Sequence, residues 1–123
     1  MNKRQTISIA WGEINTTTIQ LQAHVTGALA VHRQAACKGC LFMHDPATCQ
    51  EGWRETNQWV VTHIPTGRRI GDAVPSYRQA VRYKRLLLPL ADWATLRHNK
   101  GKGCKNRELR RRVEEAWDQA MTP

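Results

Sequence analysis

Four cysteines are the residues whose types and spacing could do chemistry in this chain. Cys37, Cys40 and Cys49 lie within thirteen residues and begin with a C-x2-C pair, whereas Cys104 lies far away in a Gly/Lys segment. Closely spaced thiols with a C-x2-C pair are typical of a structural metal site, and thiolate and imidazole ligands suit tetrahedral zinc. The sequence therefore predicts one zinc ion held by Cys37, Cys40, Cys49 and Cys104, with His44 as the alternative fourth ligand.

Other uses of four thiols remain open from the sequence. An iron–sulfur cluster also takes four thiolates, and unligated cysteines pack in a core like small apolar residues. Disulfides are less expected, because the first residues lack the apolar segment and cleavage site of a secretory signal. We therefore expect a cytoplasmic protein, with its thiols kept reduced. No stretch approaches the ~20 apolar residues of a membrane span, so no membrane partner is expected.

The segment Cys37-x2-Cys40-x3-His44-x4-Cys49 resembles the zinc knuckle of nucleic-acid-binding proteins. In that family the second cysteine and the histidine stand further apart, and a glycine precedes the histidine where this chain has Met43. The resemblance implies a metal-binding loop. Because the spacing differs, the family's binding to single-stranded RNA is not carried over.

The charge of the chain is its second informative feature. The 123 residues carry a formal net charge of +9. Residues 1–64 contribute +1, and residues 65–123 contribute +8. This asymmetry indicates a polyanionic partner, either nucleic acid or an acidic protein surface. The length favours a single domain over residues 1–123, and a hydrophobic content of 41% is that of an ordinary globular protein.

Basic residues of the second half are the candidate ligands for nucleic acid or a protein partner. They are Arg97, Lys100, Lys102, Lys105, Arg107, Arg110 and Arg111, with Arg78, Arg82 and Arg85 on one predicted helix face and Arg68 and Arg69 at a hairpin tip. Trp53 is the aromatic residue expected to stack on a base or to anchor a protein. The alternative is a solvated surface, in which Arg110 and Arg111 pair with Glu114 and Glu115 one helical turn onward.

The elements that must position these residues follow from periodicity and turn chemistry. The predicted order is a strand over 6–14, a helix over 19–36 with a strand pair as the alternative, a cysteine loop over 37–57, a hairpin over 58–71, a helix from Ser76 to Leu88, a short turn at Asp92 and a last helix after Asn106. The sequence therefore predicts an α+β fold with a small antiparallel sheet of about three strands, covered by helices and carrying a Cys-rich metal-binding loop.

Three segments resemble small uncharacterised proteins of bacteriophages and prophages. They are Trp59–Gly67 with its following helix, Leu90–Trp93, and the C-x2-C-x-F segment Cys37–Phe42. The resemblance covers about a third of the chain and implies an origin in a mobile element. Those proteins have no agreed biochemical role, so it implies no activity.

No catalytic motif occurs, and the chain is predicted not to be an enzyme. A nuclease using His63 or His98 beside the arginines is the catalytic alternative. The sequence predicts a small phage-type, zinc-stabilised accessory protein that binds nucleic acid, DNA or RNA, through its basic C-terminal half. The alternative is a phage-encoded, non-catalytic inhibitor of a host protein or defence complex, of the anti-CRISPR or anti-restriction type.

Overall fold

The computed structural model describes residues 3–11, 17–37, 53–96 and 107–122. Within these ranges the fold is α+β, with one five-stranded antiparallel sheet of order β1-β2-β3-β4-β5 and two α-helices. The bounds are β1 Lys3–Trp11, β2 Thr17–Thr26, β3 Leu29–Cys37, β4 Trp53–His63, β5 Arg68–Val74, α1 Tyr77–Leu87 and α2 Arg107–Met121. The sheet is a simple meander in which neighbours in sequence are neighbours in space.

The helix predicted over 19–36 is wrong, and the strand pair is what the chain forms. β2 and β3 are antiparallel and are joined by the two-residue loop Gly27-Ala28, with Thr26 opposite Leu29. Gly27 has φ 60°, which tight two-residue hairpin loops require at their first position. The two strands of this hairpin make the sheet two strands larger than predicted.

The hairpin predicted after residue 58 is confirmed, although β4 begins earlier than expected. The turn between β4 and β5 contains Gly67 at φ 69°, whose N–H donates to the His63 carbonyl at 2.9 Å. β4 begins at Trp53, whose Cα pairs with that of Cys37 at the end of β3. Residues 53–57, predicted to belong to the cysteine loop, are therefore strand.

Both predicted long helices are present. Ser76 caps α1, because its side-chain oxygen accepts a hydrogen bond from the Gln79 backbone N–H at 3.2 Å. Pro89 follows α1 inside a short 3-10 turn, Leu88–Leu90. The backbone carbonyl of Asp92 then closes the predicted turn by accepting from the N–H groups of Thr95 and Leu96, each at 3.2 Å. The proposed cap of α2, Asn106, lies outside the described residues.

The helices pack on one face of the sheet, here called the helix-side face. Directly opposed residues of an antiparallel pair share a face, so the register assigns each side chain. On β3, β4 and β5 this face supplies part of the main core. That core consists of Leu29, Val31, Val61, Val74, Ala80, Tyr83, Leu87, Trp93, Ala116 and Ala120.

The other face of the sheet carries a second apolar cluster. Ile7, Ile9, Leu21, Ala23 and Ala30 form it, and all five are buried. They alternate along β1 and β2 with exposed polar residues, which is the period of a strand rather than of a helix. The first two strands thus have one apolar face and one face that is largely polar, whereas β3 contributes to both apolar clusters.

Among the described residues, no helix has both the length and the apolar character needed to span a membrane.

Candidate nucleic-acid interface

The outer side of α1 carries the strongest unbalanced positive charge that the structure describes. Arg78, Arg82 and Arg85 are exposed and share one side of the helix, opposite the residues that enter the core. α1 contains Lys84 as a further cation and no acidic residue. Arg82 donates from Nη1 to the backbone oxygen of Thr122 at 3.0 Å. Within the described ranges none of these three arginines joins an ion pair, so their charges face solvent.

Among the described residues, three arginines of α2, unlike those of α1, form ion pairs, because α2 also contains acidic residues three or four positions away. Arg111 is paired with both Glu108, at 2.6 Å, and Glu115. Arg112 pairs with Glu108 at 3.1 Å, and Arg110 pairs with Glu114 at 3.5 Å.

These pairs have an electrostatic signature. Hydrogen bonds from Arg111 and Arg112 hold the pKa of Glu108 below its usual value. With Arg107 and Asp118 included, α2 contains four arginines and four carboxylates, so its net charge is zero. The intrahelical pairing that the sequence offered as the alternative is therefore present for Arg110 and Arg111.

The two arginines predicted at the hairpin tip do not share a surface. Arg68 lies opposite His63 and Arg69 lies opposite Thr62, so their side chains leave opposite faces of β5. Arg68 is half-buried on the helix-side face. Arg69 is exposed and lies 4.0 Å from Asp72. At most one of them can extend any single binding surface.

Several predicted site residues lie outside the described residues. They are Cys40, His44, Cys49, Arg97, Lys100, Lys102, Cys104 and Lys105. Cys37 and Trp53 are described only as strand backbone, at the paired ends of β3 and β4. Within the described ranges, no group of three or more His, Cys, Asp or Glu side chains is arranged to hold a metal ion.

An aromatic and cationic cluster joins β2, β3, β4 and α1, and no pattern in the sequence indicated it. The Trp59 ring is half-buried, with the Arg33 guanidinium 5.3 Å from its centre. Tyr77 meets Trp59 edge-on at 4.9 Å between ring centres, and His24 lies 5.1 Å from Tyr77. Tyr77 is 37% exposed and is the one large hydrophobic side chain among the described residues that is exposed. We call these four residues the Tyr77 cluster.

His63, weighed as a catalytic residue from the sequence, is engaged in holding the fold. It is buried, with Nε2 2.6 Å from the carbonyl oxygen of Trp93 and Nδ1 2.9 Å from the Thr66 hydroxyl. With the proton assigned to Nε2, the ring donates to Trp93 and accepts from Thr66. Both ring nitrogens are occupied by these structural contacts, which fasten the segment after α1 to β4.

His32 is the other buried histidine. Its Nδ1 lies 2.8 Å from the backbone oxygen of Arg33, and its Nε2 lies 2.6 Å from the Thr62 hydroxyl. Burial lowers the pKa of His32 below its usual value. The neutral ring can satisfy both partners, so His32 links β3 to β4 without needing a charge.

A small groove of about 280 Å³ lies between the end of α1 and α2. Its walls are Leu86, Leu90, Ala116, Arg112, Glu115 and Gln119. Ligand pockets usually have about 300–1,000 Å³ and a few converging polar groups. Here Arg112 and Glu115 belong to the exposed side of α2, so the groove lacks the features of a substrate site.

No family model matches the chain, and no curated protein or solved structure matches it either.

Proposed function

We propose that this protein is a small, non-catalytic, zinc-stabilised accessory protein of phage type that binds nucleic acid through the basic second half of its chain. The observation that carries the proposal is the outer side of α1. Arg78, Arg82 and Arg85 lie there in a row without carboxylate partners among the described residues. The row runs over eight residues, from Arg78 to Arg85, which is about 10 Å of helix.

The contrast between the two helices is the reason to centre the interface on α1. An arginine that is already paired with a carboxylate must give up that pair before it neutralises a phosphate. On α2, three arginines are paired in this way. On α1, no carboxylate among the described residues has to be displaced. A phosphate backbone would replace solution counterions and, at Arg82, the hydrogen bond to the Thr122 backbone oxygen, and the release of counterions favours binding.

Zinc is proposed as the resident metal, held by Cys37, Cys40, Cys49 and Cys104, with His44 as the alternative fourth ligand. Its support in the structure is the pairing of Cys37 with Trp53. Paired Cα atoms of an antiparallel ribbon are about 4.5–5.5 Å apart, so both ends of the segment holding Cys40 and Cys49 are held together. A closed segment with three thiols fits a structural zinc, which would fasten residues 38–52 to the sheet.

The reducing cytoplasm of a bacterial host is the proposed location. It is the compartment in which thiolates remain available to zinc and in which nucleic acid is present. No small-molecule substrate and no membrane partner belong to the proposal.

The test compares two triple variants with the same change in net charge. The first replaces the α1 row by Arg78→Gln, Arg82→Gln and Arg85→Gln. The second is the matched control on α2, with Arg110→Gln, Arg111→Gln and Arg112→Gln. Arginine and glutamine have similar helix propensities, so both helices should persist. Binding of random-sequence DNA and RNA is followed by fluorescence anisotropy over a series of salt concentrations.

The α1 variant is expected to weaken binding and to reduce the slope of log K against log salt by about 0.7–0.9 for each lost phosphate contact. The α2 control should change that slope less. Equal slopes for the two variants would remove α1 from the interface. If the wild-type protein binds no nucleic acid at low salt, the proposal fails. The host-protein inhibitor then takes its place, and a single stoichiometric partner in a nuclease-treated pull-down would identify it.

A further inference from the structure

One half of the helix-side face is left uncovered by the helices. On β1 and β2 this half presents a set of polar side chains, here called the polar half. Its members are Arg4, Thr6, Ser8, Gln20, Gln22 and His24. All are exposed except His24, which is half-buried where the polar half meets α1. Gln22 donates to the Thr6 hydroxyl at 2.7 Å, so the surface has hydrogen-bonding groups in fixed positions.

The Tyr77 cluster forms the border between this polar half and the helices. Tyr77 is the first residue of α1, and His24 is the last residue of the polar half along β2. The His24 and Tyr77 rings are in contact, and the Tyr77 ring also contacts the Trp59 ring edge to face. The aromatic surface thus continues directly into the row of Gln20, Gln22 and His24, which stand about 6.8 Å apart along the strand.

The three strands β1, β2 and β3, which are among the described residues, carry formal charge of one sign only. β1, β2 and β3 contain no aspartate or glutamate, and they carry Lys3, Arg4 and Arg33. Arg33 belongs to the Tyr77 cluster, Arg4 pairs with His24 across the strands, and Arg78 follows Tyr77 on the exposed side of α1. Partly exposed rings are therefore surrounded by cations, with no carboxylate supplied by these strands.

We propose that the polar half and the Tyr77 cluster together bind single-stranded nucleic acid, with bases stacked on Tyr77 and His24. The inference deepens the proposed function and rests on it. Arg4, Arg33 and Arg78 contact phosphates, and the glutamine and hydroxyl side chains of β1 and β2 hydrogen-bond to base edges. Stacking of bases on aromatic side chains beside a basic track is how proteins hold single strands with little sequence preference.

The geometry favours a single strand over a duplex. Bases inside a duplex are stacked on one another, and their flat faces are unavailable to a protein ring. An unpaired base can lie on a ring that is exposed at a sheet surface. His24 belongs to β2 and Tyr77 to the start of α1, and their rings are in contact where the helix meets the polar half.

The experiment needs three labelled probes of equal length: oligothymidylate, an abasic strand with the same phosphates, and a duplex. Wild-type protein should bind oligothymidylate more tightly than the abasic strand. The double variant Tyr77→Ala with His24→Ala should lose that preference, with at least about a five-fold loss of affinity for oligothymidylate. Tyr77→Phe keeps the ring and should behave as the wild type.

A second variant tests the same surface without touching the stacking rings of Tyr77 and His24. Arg33→Gln is on the exposed end of the cluster and should lower the salt slope for oligothymidylate by about 0.7 while leaving the duplex slope unchanged. Thermal unfolding of every variant verifies that it is folded, and the comparison of the wild type with the abasic probe needs no variant at all.

Different results with the three probes would contradict this inference and the proposed function. Equal wild-type affinity for oligothymidylate and the abasic strand would overturn the stacking surface, and so would a double variant that keeps the preference. In either case salt-dependent binding to all three probes would leave the α1 interface standing. Binding to none of them at low salt would overturn both.

Discussion

Arg33 and Trp59 face each other across β3 and β4, and the Arg33 guanidinium lies 5.3 Å from the centre of the Trp59 ring. Their Cα atoms are paired in the sheet, so the contact follows from the register rather than from a chance approach of long side chains. The guanidinium lies over one face of the Trp59 ring, and Tyr77 meets that ring edge to face from α1. The pair therefore connects the sheet to the start of the helix that carries the proposed arginine row.

The first prediction concerns the energy of this pair. Arg33→Ala should lower the free energy of unfolding by about 0.5–1 kcal/mol, because exposed cation–π contacts are of that size. Trp59→Ala should cost about 2–3 kcal/mol, less than a fully buried tryptophan, because the ring is half-buried. Urea unfolding of both single variants and the double variant gives the coupling energy. A coupling energy near zero would mean that Arg33 merely lies above the ring.

Lys84 gives the second prediction. Its side chain is buried under α1, and Nζ donates to the Thr26 hydroxyl at 2.8 Å in a partly buried hydrogen bond. Burial, with a smaller contribution from Arg85, lowers the pKa of Lys84 below 10.5. At pH values between that lowered pKa and 10.5, the unfolded chain binds more protons than the folded chain. The contribution of Lys84 to the free energy of unfolding therefore rises with pH in this range.

Lys84→Met removes this dependence while keeping most of the side-chain volume. The variant should be more stable than the wild type at neutral pH by about 1 kcal/mol, since an apolar residue of similar volume avoids the cost of burying a charge. That advantage should shrink as the pH approaches 10.5. Burial raises the pKa of Tyr83, which affects both proteins alike, so urea midpoints of the two at each pH isolate Lys84. A stability difference that is constant with pH would contradict the assignment.

The parts of the fold that local chemistry determines were predictable. Pro65 and Gly67 identify the β4–β5 turn, and Ser76 identifies the start of α1 by its capping oxygen. The β2–β3 hairpin was not predictable from apolar spacing, because Leu21, Val25 and Leu29 are four residues apart and satisfy the periods of both a helix and a strand.

In the candidate site, too, contacts within one element were predictable and contacts between distant elements were not. The pairing of Arg110 with Glu114 depends on one helical turn and was visible in the sequence. The contact of His24 with Tyr77 joins β2 to α1 and depends on the packing of the helix on the sheet. No local sequence pattern predicts a contact between these two elements. The helix predicted over 19–36 also placed His24 on a helix, whereas it lies on β2. Interfaces built from distant elements are therefore the part that sequence patterns miss.

A pair of glycines provides the third prediction. Gly71 and Gly27 both have positive φ, 74° and 60°, so alanine at either position is strained by about 1–2 kcal/mol. A Cβ at Gly71 would also lie 3.0 Å from the Tyr83 hydroxyl and 3.1 Å from the Trp117 ring, whereas one at Gly27 meets nothing within 4 Å. Gly71→Ala should therefore cost about 1–3 kcal/mol more than Gly27→Ala.

Thermal or urea unfolding of the two variants checks this difference, and Gly27→Ala is the internal control for backbone strain. Tyr83 and Trp117 meet edge to face at 5.2 Å between ring centres, and the glycine gives them room against β5. An equal loss of stability in the two variants would mean that the Tyr83 and Trp117 rings move aside for the new Cβ at no cost in stability.

The last prediction concerns the proposed zinc. Elemental analysis of protein purified without chelators should find one zinc per chain, and a chelator should lower the melting temperature, because metal bound to the folded chain contributes to its stability. Cys104→Ser should reduce zinc content and melting temperature more than His44→Ala, since Cys104 is the preferred fourth ligand. The order would reverse if His44 completes the site. Cys37→Ser tests a ligand on the sheet, because Cys37 ends β3 opposite Trp53. This variant should lose zinc, while amide exchange should show that the β3–β4 pairing nearer the core, such as Val31 with Val61, persists. Zinc-free protein whose melting temperature is indifferent to the chelator would exclude a structural metal, and the α1 arginine row would remain to be tested on its own.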